Sequence, residues 1–192
     1  MAVASDASDI IARLGRAVRS HDVAAVQKID QQIAQSSDAR LKAAYLLANY
    51  FMDPTHQEGA FVDGFPTDRT GFTYVYSLSG PVTGQNSIYA FAELSKSAQH
   101  GSRMALRKLL LIDAEADGAV AEFVSDRVDS IARHRPANVL TELAKLPWIK
   151  ARKVATNPLA WCDSVTAIQS IHASNEVVGR LQRLIRDTKI KC

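Results

Sequence analysis

Apolar residues recur at three- and four-residue spacing over most of the chain, the pattern of amphipathic helices that bury one face. Ile10, Ile11, Leu14, Ala17 and Val18 form a first stripe, with Ser5 or Ser8 placed to cap it. Asp22 opens a second helix carrying Val23, Val26, Ile29 and Ile33. After Ser36-Ser37-Asp38, a third carries Leu41, Ala44, Tyr45, Leu47, Ala48 and Phe51. Connections this short make successive helices antiparallel neighbours.

Asp53-Pro54 interrupts the pattern. Five of the nine glycines (Gly59, Gly64, Gly71, Gly80, Gly84) and three of the six prolines (Pro54, Pro66, Pro81) fall in residues 53–84. Within that stretch, Phe72-Thr73-Tyr74-Val75-Tyr76 has the aromatic and β-branched content of a short strand. The pattern therefore predicts a long loop or β-hairpin insertion at about 53–84, with Phe61 and Phe65 packed beneath it. A connection of that length inside a compact domain is uncommon and often functional.

Helical spacing resumes at Gln85. Ile88, Phe91, Ala92 and Leu94 mark one helix, ending near His100-Gly101, and residues 104–112 form a short one that is apolar on nearly every side. Val120, Phe123, Val124, Val128 and Ile131 mark the next, and Pro136 starts another with Val139, Leu140, Leu143 and Leu146, closed by Pro147. Asn157-Pro158 is a good helix opening for Trp161, Val165, Ile168 and His172, and Asn175 leads into a last helix with Val177, Leu181, Leu184 and Ile185. The expectation is a mostly α protein: an irregular antiparallel array or bundle of eight or nine helices. It is read as a single domain over 1–192, with a three-helix part (1–52), the insertion (53–84) and a C-terminal helical part (85–192). The consecutive pairing over residues 88–146, with Pro136 at a helix start, resembles HEAT- and armadillo-type helical repeats, although no fixed-period self-similarity is visible.

With 47% hydrophobic and 22% charged residues, the 192-residue chain can build a core without a metal or disulfide scaffold. No run of about 18 apolar residues is present, which argues against a membrane span. A net charge of +3 is too small to argue for nucleic acid. The charge is uneven, however: residues 1–101 carry 8 Lys/Arg against 10 Asp/Glu, and residues 102–192 carry 15 against 10. A basic C-terminal half suits an acidic partner.

Ala2-Val3-Ala4 has the small-x-small form of a signal-peptidase site, followed by polar Ser5 and Asp6, without a basic and apolar leader before it. The expectation is a periplasmic or secreted protein if a signal peptide was removed before Ser5, and a cytoplasmic one otherwise. Cys162 and Cys192 are the only cysteines and form a disulfide candidate, since an antiparallel final hairpin would return the chain end toward Cys162. Closing such a loop stabilises by roughly 3–4 kcal/mol and belongs in an oxidising compartment. The alternative is one buried and one terminal thiol.

Metal motifs of the HExxH or CxxC kind, nucleophile elbows and phosphate loops are missing, so no metal or cofactor is expected. Acidic residues cluster in the insertion: Asp53, His56, Glu58, Asp63 and Asp68, beside Thr70 and Thr73. Glu58-Gly59, then Asp68, then Gly71-Phe72-Thr73 resembles the phage-type lysozymes. The resemblance implies Glu58 as general acid, Asp68 as second carboxylate and Thr73 as the group positioning water. A second cluster places Lys145, Lys150, Arg152 and Lys153 around Trp148, with Arg180, Arg183 and Arg186 at i, i+3 spacing on the last helix. Basic residues around an aromatic can hold phosphates or bases, and they suit an acidic protein partner equally.

The leading expectation is a non-enzymatic protein-binding module. It would present Phe61, Asp63, Phe65, Asp68, Tyr74 and Tyr76 of the insertion, with Trp148, Lys150, Arg152 and Lys153, to a protein partner. An exported bacterial protein such as an effector-neutralising immunity protein fits that description. A lysozyme-like glycoside hydrolase and a nucleic-acid-binding helical protein stay open as alternatives.

Overall fold

The computed structural model describes residues 7–33, 36–157 and 159–188. Among the described residues the fold is helical throughout, with twelve helices and no strand. The chain divides into two compact units, Met1–Glu93 and Leu94–Cys192.

The first unit contains α1 (Ala7–Arg19), α2 (Val23–Ile33), α3 (Ala39–Met52), α4 (Pro54–Gly64) and α5 (Arg69–Thr83). The predicted stripes of α1 to α3 are largely the buried ones: Leu14 and Val18, Val26 and Ile29, Leu41, Ala44, Leu47 and Ala48. Tyr45, on the α3 stripe by spacing, is exposed instead. α3 lies at the centre and packs against α1, α2, α4 and α5.

The loop or β-hairpin expected over 53–84 is corrected by α4 and α5. Asp53 ends α3 and caps α4, its carboxylate accepting from the His56 N–H at 3.2 Å, while Pro54 takes the first helical turn, where a missing N–H costs nothing. Asp68 caps α5 by accepting from the Gly71 N–H at 2.8 Å. The strand-like run of 72–76 lies inside α5, where Gly71, Phe72, Val75, Leu78, Ser79 and Val82 are buried. That is helical spacing, and burial along one face outweighs the strand preference of individual residues. Phe61 and Phe65 anchor the segment. Phe61 stacks on Tyr50 at 4.1 Å between centroids, and Phe65 meets Phe61 and Phe91 edge-on at 5.4 Å each.

Gly15 in α1 is a required glycine, because a Cβ there would collide with the Pro81 carbonyl oxygen of α5. The same carbonyl, near the end of α5, accepts from Arg19 Nη1 at 2.6 Å. α1 closes on His21 at φ 55, with the Asp22 N–H reaching back to the Ala17 carbonyl at 2.9 Å, a left-handed cap usually given to glycine.

Helix α6 (Tyr89–Gln99) carries the boundary between the units. The second unit continues with α7 (Arg103–Asp113), α8 (Gly118–His134), α9 (Pro136–Ala144), α10 (Trp148–Ala155), α11 (Val165–Gln169) and α12 (Glu176–Asp187). α9 is central here, touching α7, α8, α10, α11 and α12. Twelve helices replace the expected eight or nine because α4 and α5 occupy the expected insertion and α10 fills the stretch after Pro147.

The helix expected to open at Asn157-Pro158 does not form there. Asn157 turns its side chain inward, donating to Asp113 at 3.1 Å and Ser125 at 2.9 Å. Trp161, fully buried, donates its ring N–H to the Val154 carbonyl at 3.0 Å. Asp129 of α8 then accepts the backbone N–H groups of Asp163 and Ser164, at 2.9 and 3.0 Å, and the Ser164 hydroxyl. These long-range partners replace local helical hydrogen bonds, and α11 begins only at Val165.

Candidate functional site

The residues singled out in 53–84 divide into core and surface. Phe61 and Phe65 are each 1% exposed and belong to the aromatic core of the first unit rather than to a binding face. Asp63 is exposed, and Tyr74 and Tyr76 are half-buried on α5. Glu58 is exposed on α4. Asp68 is occupied in capping α5, and the Thr73 hydroxyl donates to the Arg69 carbonyl one turn earlier at 2.7 Å. The hairpin on which the lysozyme resemblance would carry Asp68 and Thr73 is a helix.

In the second unit, the basic residues around Trp148 are mostly engaged. Lys145 pairs with the fully buried Glu142 at 2.7 Å, and Arg107 grips the same carboxylate through Nε and Nη2 at 3.0 and 2.7 Å. Burial disfavours the ionised form of Glu142. Hydrogen bonds from Lys145 and Arg107, with their charges, outweigh it and hold the carboxyl below its ordinary value. Lys150 pairs with Glu115 at 3.3 Å. Lys153 donates to the Ala114 carbonyl at 2.9 Å, a cation at the C-terminal end of α7. Arg152 is exposed.

Trp148 itself is half-buried, and the Arg180 guanidinium of α12 lies over its ring at 4.2 Å. The two residues line a depression of about 400 Å³ between α10 and α12, together with Leu146 and Val177. Next to Trp148 in the chain, Ile149 is 78% exposed, and Val177 is 44% exposed. Val177 is thus an exposed apolar residue at the depression that holds the cation-covered Trp148, and Ile149 an exposed apolar residue one position along α10 from that ring. The cue for this surface was partly visible in the Trp148 cluster. The contribution of Ile149 and Val177 was not, because both sit on apolar positions that read equally well as core.

Two further depressions flank α3 in the first unit and were not anticipated. One, of about 480 Å³, lies between α2 and α3 and includes Asp30, Tyr45, Asn49 and Gln57. The other, of about 350 Å³, lies between α3 and α4 and shares Tyr45, Asn49 and Gln57. On its other side α2 meets α1 in a basic depression with Arg13, Arg16 and Lys28. α2 therefore separates a cationic surface from an anionic one.

The second unit also buries polar side chains, Asp113, Ser125 and Asp129 among them. Asp113 accepts from the Ser125 hydroxyl at 2.6 Å and from Asn157, all on Oδ1, while Oδ2 is shielded and without a partner. Burial raises its carboxyl to about 6, against the lowering effect of the Ser125 and Asn157 hydrogen bonds. Cys162, in the turns before α11, is disulfide-bonded. Cys192, its expected partner, lies outside the described residues, as does the Ala2-Val3-Ala4 segment.

Among the described residues no group of three His, Cys, Asp or Glu side chains is placed to hold a metal ion, and no helix is long and apolar enough to cross a membrane. Comparison with known protein families, with curated proteins and with solved structures finds no match to this chain.

Proposed function

We propose that this chain is a non-enzymatic protein-binding module whose docking face is the α10–α12 surface around Trp148. The observation that carries this reading is Ile149, a large apolar side chain 78% exposed at the position after Trp148 on α10. Leaving such a residue in water forgoes roughly 2 kcal/mol of burial that a partner would recover. Aromatic and arginine residues are also the types that most often anchor protein interfaces. Arg180, over the Trp148 ring, and Arg152, exposed on α10, favour a partner with an acidic surface. The disulfide at Cys162 supports an oxidising compartment, in keeping with an exported protein.

Affinity capture with wild type and with Ile149→Asp tests the reading. The wild type is expected to retain an acidic protein that salt releases and that Ile149→Asp no longer retains. Recovery of the same proteins by both baits would overturn it.

A further inference from the structure

Asp113 closes a joint between three parts of the second unit. It ends α7, and its Oδ1 accepts from Ser125 of α8 at 2.6 Å and from Asn157, in the stretch after α10, at 3.1 Å. Asn157 also donates to the Ser125 oxygen at 2.9 Å, so the three side chains form a closed triangle. Oδ2 has no partner among the described residues and is shielded from water. A neutral carboxyl survives there at modest cost, whereas a carboxylate with one unsolvated oxygen does not. Burial accordingly pushes the carboxyl up to about 6, against the lowering effect of its two donors. Charged side chains on the neighbouring elements do not supply the missing partner. On α10, Lys153 sits on the Ala114 carbonyl and Lys150 pairs with Glu115. On α9, Glu142 is held by Arg107 of α7 and by Lys145. On α8, Asp129 accepts from the backbone of Asp163 and Ser164, and Glu122 and Asp126 are exposed. The Asp163 carboxylate is paired with Arg133.

The three sides of the joint are not equally firm. Asp113 and Ser125 belong to helices with their own backbone hydrogen bonds, and Ser125 is fully buried. Asn157 is half-buried and lies outside any helix, so its side chain is the cover nearest solvent. Farther along, the Trp161 ring N–H on the Val154 carbonyl and the Asp129 clasp on Asp163 and Ser164 hold the chain independently of Asp113. We propose that Asp113 is a pH-sensitive latch. Neutral, it fastens Asn157, with Leu159 and Ala160 behind it, onto α7 and α8. Ionised, it admits water to Oδ2 by releasing Asn157, and that stretch opens while Asp129 keeps residues 163 and 164 in place. A carboxyl raised in the closed form stabilises closure below its ordinary value, and the contribution is lost as pH rises through the raised one. The latch is therefore fast in acid and loose at neutral pH. It stands apart from the α10–α12 docking face and does not depend on it.

Amide hydrogen exchange of the full chain, resolved by NMR and corrected for the intrinsic effect of pH, tests the proposal at pH 4 and pH 7 with urea kept below the unfolding transition. The reporter is the Ala160 N–H, on a fully buried residue and donated to the Asn157 carbonyl at 3.2 Å. With the carboxyl at 3.8 when open and about 6 when closed, the open form should be about 50-fold more populated at pH 7 than at pH 4. Its exchange should depend little on urea, since a local opening exposes little surface. The Asp163 and Ser164 amides should instead exchange more slowly and through a urea-dependent opening. In Asp113→Asn the Ala160 protection should be the same at both pH values. The proposal is overturned if Ala160 in the wild type shows no such pH dependence, or if its urea slope equals that of Asp163 and Ser164. It is equally overturned if folded Asp113→Asn keeps the pH dependence. If that variant does not fold, the pH and urea dependence of the wild type decide alone.

Discussion

Asp113→Asn should change how stability depends on pH, and the size of the change follows from the burial of one carboxyl. Asp113 is 6% exposed, and burial raises its carboxyl from 3.8 to about 6 in the folded chain. A carboxyl raised on folding contributes stability below the unfolded value, and that contribution is lost as pH rises through the folded value. Raising the carboxyl from 3.8 to about 6 corresponds to about 3 kcal/mol across pH 4 to 7. Asparagine keeps the Oδ1 acceptor used by Ser125 and Asn157 but does not ionise. It places an unbonded amide where Oδ2 sits, a constant penalty of roughly 1–3 kcal/mol that does not vary with pH. The informative quantity is therefore the difference between variant and wild type as a function of pH. That difference should move in favour of Asp113→Asn by about 3 kcal/mol between pH 4 and pH 8. Urea unfolding followed by tryptophan fluorescence measures it, since Trp148 and Trp161 both belong to the second unit. Parallel pH profiles, agreeing within about 0.5 kcal/mol, would refute the reasoning.

Glu142 should show the opposite pH dependence. Its lowered carboxyl gives stability that is present above the unfolded value and lost as pH falls, so Glu142→Gln should cost about 2 kcal/mol at pH 7 and less near pH 3, read by urea unfolding. Gly15→Ala should lower stability by about 2–3 kcal/mol, visible as a depressed Tm, because the added methyl meets a backbone carbonyl that cannot turn aside. His21→Gly should raise stability by up to about 1 kcal/mol in the same assay, by relieving a left-handed backbone, less whatever the tilted contact with Phe51 contributes.

The first three helices were legible because their apolar residues fall on one stripe and Asp38 supplies an N-cap. α4 and α5 are masked in the sequence by glycine, proline and β-branched content, which signals loop and strand against their helical spacing. The helical signal was present in Phe61, Val62 and Phe65, and again in Phe72, Val75, Leu78 and Val82. α10 has only eight residues behind Pro147, too few for a clear stripe. Asn157 carried a genuine start signal, but Asp113, Ser125 and Asp129 compete for that segment from elsewhere in the chain. Trp148 was recognisable as an aromatic among bases. The depression between α2 and α3 was not, since its walls come together only after α2 and α3 have packed and α4 has closed one end.

The Asp129 carboxylate ties a turn to a helix 34 and 35 residues away in the chain. Amide protons in a turn ordinarily exchange with solvent quickly, through small local openings. Those of Asp163 and Ser164 can be released only when α8 gives up its hold, so they should exchange as slowly as helix-interior amides. The peptide bonds beside Cys162 inherit the same protection, and a protease should cut this irregular segment only through a wider opening of the second unit.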